Sequence, residues 1–188
     1  MRGAPPGEFE AIVWEMFLAE WRAQGRAGQP RTIAIVDDRP REQYLFPEFL
    51  LAQRFFERHG LEAWVVDPTE LRFADGRLAF EGQAVDLVYN RLVDFALGES
   101  GHEPLRDAYL AGAVVLTPNP RNHALLADKR NLITLGDDTL LDAWGVSEAD
   151  RAVLHAVVPA TQAVTPANAD ALWAQRRQLF FKPVAGYG

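Results

Sequence analysis

The apolar and polar residues of the first part of the chain follow the periods of helices and strands in turn. Apolar residues at helical spacing predict an amphipathic helix near the start, followed by a linker over residues 25–30. We favour a helix packed on the domain behind it, and a helix at a dimer interface is the alternative. Its apolar stripe consists of Phe9, Ile12, Val13, Met16, Phe17 and Trp21.

Four short apolar runs follow, and each ends in polar residues. Helices are predicted from Pro47 to Gly60 and over residues 103–111, and an Asp-Gly turn at 75–76 predicts a β-hairpin. Strands that alternate with helices indicate an α/β fold with a mostly parallel, Rossmann-like sheet. The predicted buried strands are residues 32–36, 63–66, 86–89 and 113–116.

The pattern changes after Pro120, and we place a domain boundary between Pro120 and Leu135. Helical patterns predominate beyond it, and a Ser-x-x-Asp sequence predicts a helix that starts at Ser147. Proline and a β-branched run predict a more extended segment between the later helices. The other predicted elements are a helix over 122–135, a short strand or extended segment over 157–161, a helix over 167–177 and a final strand over 179–182.

Composition narrows the function classes. The chain has 188 residues, of which 48% are hydrophobic, so a sizeable core can form. A net charge of −7 argues against general nucleic-acid binding, which needs a basic face. The absence of cysteine excludes disulfides and thiolate metal sites. No apolar run is long enough to span a bilayer, so we expect a cytoplasmic protein without membrane partners.

Polar groups follow three of the predicted strands, where ligands sit in open α/β sheets. Asn90-Arg91 is one such end, and the Arg91 guanidinium could hold a carboxylate through two parallel hydrogen bonds. That Arg91 is simply the first loop residue is equally open. We favour the same plain interpretation, an ordinary polar loop, for Asp37-Asp38. Residues 117–119 form the third end.

Lys129 and Lys182 are the only lysines, and every other cationic side chain apart from histidine is an arginine. An ammonium is a compact point charge that suits phosphate oxygens. Codon bias towards arginine would explain why lysine is scarce, but not why both lysines lie beside plausible site features. Lys182 ends an apolar run just before Gly186 and Gly188, whose backbone N–H groups could approach an anion closely.

Other catalytic and metal motifs are missing from the sequence. No two of the four histidines lie at metal-ligand helical spacing, and HExxH is absent, so the sequence does not support a histidine metal site. There is no Gly-x-Ser-x-Gly elbow, no Walker A motif and no GxGxxG after the first strand. These absences argue against a triad hydrolase, a P-loop NTPase and a dinucleotide-binding enzyme.

Two segments, Asp128-Lys129 and FKPVAGYG over residues 181–188, resemble the ATP-grasp superfamily of carboxylate–amine ligases, near its glutathione-synthetase-like members. In that family a Rossmann-like pre-ATP-grasp domain precedes a helix that carries a lysine. A second lysine, on a strand, then leads into a mobile glycine-rich loop. The resemblance covers the order of elements from about residue 32 to the end. It divides the chain into a helix and linker (1–30), a pre-ATP-grasp domain (31–120) and the first part of an ATP-grasp domain (121–188).

The resemblance implies a ligase that phosphorylates a carboxylate with ATP, after which an amine attacks the acyl phosphate. Lys129 and Lys182 would contact the α- and β-phosphates of ATP. Gly186 and Gly188 would begin the lid over the β- and γ-phosphates. Asn90 and Arg91 could help to hold the acid substrate. The implied partners are thus a small acid and an amine, and the resemblance also allows a homodimer.

Mg²⁺ is the second cofactor that the resemblance implies, and in the family its ligands follow the glycine loop, here beyond residue 188. We therefore expect the 188-residue chain to be inactive alone, as an excised fragment or a truncated product. The alternative is a non-catalytic α/β binding module whose C-terminal strand pairs with a partner chain. A sugar-nucleotide transferase also starts with a Rossmann-like half, but no feature of the sequence favours it.

Overall fold

A four-stranded parallel sheet organises the first part of the computed structural model, which describes residues 6–184. Its central strand β1 (Thr32–Val36) pairs with β2 (Glu62–Val66) on one side and with β6 (Leu87–Asn90) on the other. β6 pairs in turn with β7 (Val115–Thr117), so the strand order is β2-β1-β6-β7. This confirms the predicted α/β class with a mostly parallel sheet.

A small antiparallel sheet is inserted between β2 and β6. It consists of β3 (Leu71–Ala74), β4 (Arg77–Phe80) and β5 (Gln83–Ala84). The turn from β3 to β4 has positive φ at both central residues, Asp75 at 51° and Gly76 at 69°. Two positive φ values match the right-handed twist of the flanking strands, and Asp-Gly adopts them readily. The predicted hairpin is confirmed, and β5 extends it.

Three helices cover the parallel sheet. These are α1 (Pro6–Ala23), α2 (Phe46–Arg58) and α3 (Glu103–Leu110). α1 and α2 share one apolar cluster with one face of the sheet, while α3 and the hairpin share a second cluster with the other face. Within residues 6–184, no helix is both long and apolar enough to cross a membrane.

The side chains of β1 point alternately to the two faces of the sheet, and both faces are covered. Ile33 and Ile35 belong to the cluster under α1 and α2, whereas Ala34 and Val36 belong to the cluster under α3. All four are fully buried, as expected for a parallel strand that reads as a continuous apolar run. This packing accounts for the strand's lack of polar positions.

The stripe on α1 divides into a buried and an exposed half. Phe17 is 2% exposed and meets Phe56 of α2 edge to face, with ring centroids 4.9 Å apart. The preferred interpretation, a helix packed on its own domain, is therefore confirmed. Phe9, Ile12 and Met16 stay exposed on the same helix. The homodimer stays a prediction.

The chain divides into two compact units between Pro120 and Arg121, called unit 1 and unit 2 below. The boundary falls at the start of α4, and in the described part of unit 2 the regular elements are helices. Their bounds are α4 (Pro120–Leu126), α5 (Asn131–Leu135), α6 (Asp138–Ala143), α7 (Glu148–Val157) and α8 (Ala169–Ala174).

The helix predicted over residues 122–135 is wrong in its middle. It is broken into α4 and α5, and Asp128, Lys129 and Arg130 lie on the turn between them. A carboxylate oxygen of Asp128 accepts the backbone N–H of Arg130 at 2.8 Å, and the Asn131 side chain donates to the carbonyl of Leu125 at 2.9 Å. Such local side-chain bonds compete with helical ones and end the first helix.

Among the later elements of unit 2, the start of α7 agrees with the prediction and the predicted strands do not form. Ser147 starts α7 as predicted, with its hydroxyl accepting the N–H of Asp150 at 3.2 Å. Over 157–161 the chain forms no strand: α7 ends at Val157 and Val158 is extended, in line with the extended alternative of the prediction. The strand predicted over 179–182 does not form. A strand needs a neighbour for its backbone groups, and the described part of unit 2 offers none.

The helix predicted over 167–177 is shortened to α8, which begins at Ala169. The Asn168 side chain occupies the preceding turn: its Oδ1 accepts the N–H of Thr165 at 2.7 Å, and its Nδ2 donates to the carbonyl of Ala163 at 3.0 Å. Asparagine often holds turns in this way, so the helix starts only after it.

Candidate functional site

The parallel sheet of unit 1 contains a topological switch point. From β1 the chain passes through α2 to β2 on one side of β1, and after the hairpin it returns to β6 on the other side. In open α/β sheets the connections diverge at such a point, and ligands bind in the crevice outside the carboxyl ends of the two strands. The residues that follow β1 and β6 therefore form the candidate site.

Asp37 follows β1 directly and is 9% exposed. Its Oδ1 accepts the backbone N–H of Asp38 at 2.9 Å. Burial raises the pKa of the Asp37 carboxyl and the charge of Asp38 adds to this, against the lowering effects of the Asp38 N–H and of Arg91. The switch point thus holds a largely buried carboxyl, that of Asp37, beside the end of β1.

Asn90, the last residue of β6, ties two strand ends together. It is buried, its Oδ1 accepts the N–H of Leu92 at 3.1 Å, and its Nδ2 donates to the carbonyl of Pro118 at 3.2 Å. Both ends of its side-chain amide are therefore engaged within the protein. The third polar strand end lies at the same edge, where the Tyr109 hydroxyl donates to Asn119 at 3.4 Å.

Arg91 lies at the same edge with its guanidinium partly buried. One terminal nitrogen is 3.1 Å from the carboxylate of Glu48 on α2, and the other donates to the Tyr89 hydroxyl at 3.2 Å. The guanidinium also lies over the rings of Tyr89 and Phe49, at 5.4 and 6.0 Å. Its Nε is buried and has no hydrogen-bond partner in the described chain. The position holds a carboxylate, as a guanidinium between aromatic rings can.

His102 completes the edge, in the turn just before α3, and its side chain is 1% exposed. Its Nδ1 is 2.8 Å from a carboxylate oxygen of Asp94, and its Nε2 is 2.9 Å from one of Asp38. Burial acts to lower the pKa of His102, but hydrogen bonds to Asp38 and Asp94 outweigh it, and the pKa is raised. The imidazole is the buried centre of an acidic group.

Sequence reasoning missed this group, because it tested the histidines only for helical spacing. The partners of His102 lie 8 and 64 residues away along the chain. The strand end at Asp38 was visible in the sequence, but no local pattern connects it to a histidine in a turn five strands later. Only the parallel sheet brings the two together.

Unit 2 holds the two lysines of the predicted nucleotide site. Lys129 is on the turn between α4 and α5, and its backbone N–H donates to the carbonyl of Val184 at 3.1 Å. The segment that carries Lys182 thus lies against the segment that carries Lys129. The Lys182 ammonium lies 5.3 Å from the centre of the Phe180 ring. Gly186 and Gly188 lie outside the described residues.

Comparison with known proteins leaves the family open. No protein-family model matches the chain, and no curated protein matches it at a significant level. Two places in the chain have residues that suit a ligand: the switch-point edge of unit 1 and the two lysine segments of unit 2.

Proposed function

We propose that the chain is the N-terminal part of an ATP-dependent carboxylate–amine ligase of the ATP-grasp type, acting through an acyl phosphate. The observation that carries this proposal is the hydrogen bond between the Lys129 N–H and the Val184 carbonyl. It brings together the two segments that carry the only lysines of the chain, which are far apart in the sequence. These are the segments whose residues resemble the ATP-grasp superfamily.

Two lysines on neighbouring segments suit a nucleotide. Each can neutralise phosphate oxygens without the fixed planar geometry of a guanidinium, and charge that develops during phosphoryl transfer is stabilised by cations already in place. The Lys182 ammonium lies near the ring of Phe180, a side chain that is 85% exposed. Because Phe180 is open to solvent, a polyphosphate could reach the lysine beside it without displacing core residues.

Arg91 is the place where we expect the acid substrate in unit 1. The guanidinium already holds one carboxylate, that of Glu48, whose side chain is 46% exposed. A substrate carboxylate could replace Glu48 there if the exposed glutamate swings into solvent. Asn90 contributes by fixing the ends of β6 and β7 beneath the crevice.

Mg²⁺, when bound to ATP, supplies charge neutralisation for phosphoryl transfer. Asp128, the acid next to Lys129, does not fit the role of an Mg²⁺ ligand, since Arg130 binds both of its carboxylate oxygens. We therefore assign no Mg²⁺ ligand in the described part of unit 2. The part played by this chain's own residues is to bind the phosphates and the acid.

Calorimetric titration of ATP with Mg²⁺ into the complete gene product tests the proposal. Lys129→Ala and Lys182→Ala should each weaken binding at least about tenfold, the loss of one charge-assisted contact. Arg177→Ala, which removes an exposed cation of the same unit, is the matched control and should bind ATP normally. Lysine variants that bind ATP as well as the control, or no saturable ATP binding, would overturn the proposal.

The exposed apolar run before Lys182 favours a second candidate, an interaction module. Leu179, Phe180 and Phe181 are 37%, 85% and 45% exposed. A partner chain that supplies a neighbouring strand would bury these residues and pair their backbone. Under this candidate Phe180→Ser lowers the sedimentation-derived mass of the chain or of its complex. ATP then gives no binding heat with the wild type or with the lysine variants.

A further inference from the structure

The surroundings of His102 in unit 1 have the arrangement of a metal ligand with its supporting group. Asp94 is held in place by two contacts of one carboxylate oxygen. This oxygen accepts the backbone N–H of Glu99 at 2.8 Å and lies 2.8 Å from the His102 Nδ1. A carboxylate on one ring nitrogen sets the tautomer and the orientation of the ring. The other nitrogen, Nε2, is then presented to Asp38.

Two carboxylates lie close to that nitrogen. The Nε2 of His102 is 2.9 Å from Oδ1 of Asp38. One carboxylate oxygen of Glu99 lies within 4.8 Å of a ring nitrogen of His102 and of a carboxylate oxygen of Asp38. A divalent ion sits roughly 2.0–2.2 Å from nitrogen and oxygen ligands, so two ligand atoms around one ion are roughly 3–4.4 Å apart. The three atoms approach this spacing, and Glu99 is exposed and can rotate to complete it.

The backbone holds the ligands at this edge. The N–H of Asp38 donates to the Asp37 carboxylate, and the carbonyl of Asp38 accepts the Gln43 side chain at 2.7 Å. These two bonds fix the backbone of Asp38. Glu99 is held through its own N–H by Asp94. The ligands therefore come from two loops that are both anchored next to the switch point of the sheet.

Charge balance also favours a cation. Asp38, Asp94 and Glu99 bring three negative charges around one imidazole. A protonated imidazole offsets one of them, whereas a divalent ion offsets two. The arginines next in the chain are engaged by other acids: Arg39 pairs with Glu42, and Arg106 with Glu103 and Asp107.

We infer that unit 1 contains a binding site for a divalent transition metal, with His102 Nε2, Asp38 and Glu99 as ligands and Asp94 as the positioning residue of the imidazole. One imidazole and two carboxylates suit Zn²⁺ or Mn²⁺, and three protein ligands leave a position open for water or a substrate oxygen. This site uses none of the residues that we propose to hold ATP or the acid substrate.

Isothermal titration of ZnCl₂ into the 188-residue chain tests the site, with the melting temperature of unit 1 as a second readout. We expect one equivalent to bind and to raise the melting temperature. Glu99→Gln, an exposed position that leaves the core intact, should weaken Zn²⁺ binding at least about tenfold, and Asp94→Asn about 10–100-fold. Glu57→Gln, the same change on exposed α2, should bind as the wild type does.

Co²⁺ provides the second measurement for variants that fold poorly. Bound Co²⁺ should give visible absorption in the wild type that is lost in Asp38→Asn. The inference is overturned if no saturable binding occurs, or if Glu99→Gln and Asp38→Asn bind Zn²⁺ as tightly as Glu57→Gln. The group around His102 would then be a set of ion pairs only. Neither result bears on ATP binding, which the lysine variants test.

Discussion

Unit 1 and unit 2 are stabilised by different means. Unit 1 buries apolar side chains on both faces of its sheet, in two clusters. In the described part of unit 2, only Leu141 and Leu172 are buried, and large apolar side chains such as Leu126, Trp173 and Phe180 are exposed. Unit 1 therefore provides a rigid frame for its site, whereas unit 2 presents its lysines on segments with little core beneath them.

Local interactions define the helices of unit 2 in place of a core. Asp137 and Ser147 cap α6 and α7, and Arg151 joins the two helices by contacts to Asp138 at 3.0 Å and Asp142 at 2.7 Å. A hydrogen bond from His155 and the charge of Arg151 lower the pKa of Asp138. Caps and exposed ion pairs are each weak, so unit 2 should open more readily than unit 1.

The largest expected difference between the units is in the free energy of unfolding that is lost when a phenylalanine is replaced by alanine in each unit. Phe56→Ala removes a ring that is 1% exposed and packs on Phe17, and should lower the free energy of unfolding by about 3–5 kcal/mol. Phe180→Ala removes a ring that is 85% exposed, and the change should stay within about 0.5 kcal/mol. Urea unfolding measures both. Equal losses would mean that unit 2 has a core of its own.

Arg151→Met should act on unit 2 alone. The substitution keeps an unbranched apolar stem but removes the guanidinium and its bonds to Asp138, Asp142 and the carbonyl of Val146. Hydrogen exchange of the α6 and α7 amides should accelerate several-fold, and that of β1 should not change. Arg177→Met is the control. Acceleration in β1 would contradict an effect confined to unit 2.

Two acids at neighbouring strand ends of unit 1 should respond to pH with opposite signs. The pKa of Asp37 is raised, chiefly by burial. Although burial acts in the same sense on Asp67, hydrogen bonds from Thr69 and Arg39 outweigh it and lower the pKa of Asp67. Asp67 thus adds stability above its unfolded pKa, about 3.9, which is lost as the pH falls through its folded pKa. Asp37 adds stability only below its unfolded pKa, and this is lost as the pH rises through its folded pKa.

The corresponding substitutions separate these two effects. Asp67→Asn should lower the free energy of unfolding at pH 7 and change it little at acidic pH. Asp37→Asn should raise it at pH 7, with the gain fading below about pH 4. Urea titrations at pH 7, 5 and 3 measure both profiles. Profiles of the same sign would show that the burial of Asp37 does not govern its ionisation.

The sequence was a good guide wherever local pattern and tertiary packing agree. The apolar run of β1 is buried on both faces, and Asp75-Gly76 makes the turn that its residue types favour. It was a poor guide where a side chain competes with the backbone, as Asp128 does when it ends α4. An apolar run such as 179–182 predicts a strand only if a neighbouring strand exists, and a run by itself cannot show that.

The site divides in the same way. The strand-end rule placed Asn90 and Arg91 at the crevice, because parallel strands share their carboxyl edge. The contact of Arg91 with Glu48 and the contacts of His102 with Asp38 and Asp94 were beyond reach, since each depends on how helices and turns pack around the sheet. Long-range contacts of this kind leave no mark on local sequence.

Hydrogen exchange with and without ATP and Mg²⁺, on the complete gene product, tests the central claim most directly. We expect ATP to slow exchange in the segments that carry Lys129 and Lys182, because unit 2 holds them only loosely. The effect should disappear in a variant with both lysines changed to alanine and persist in Arg177→Ala. Unchanged exchange in both segments, or protection that survives loss of the lysines, would contradict the account.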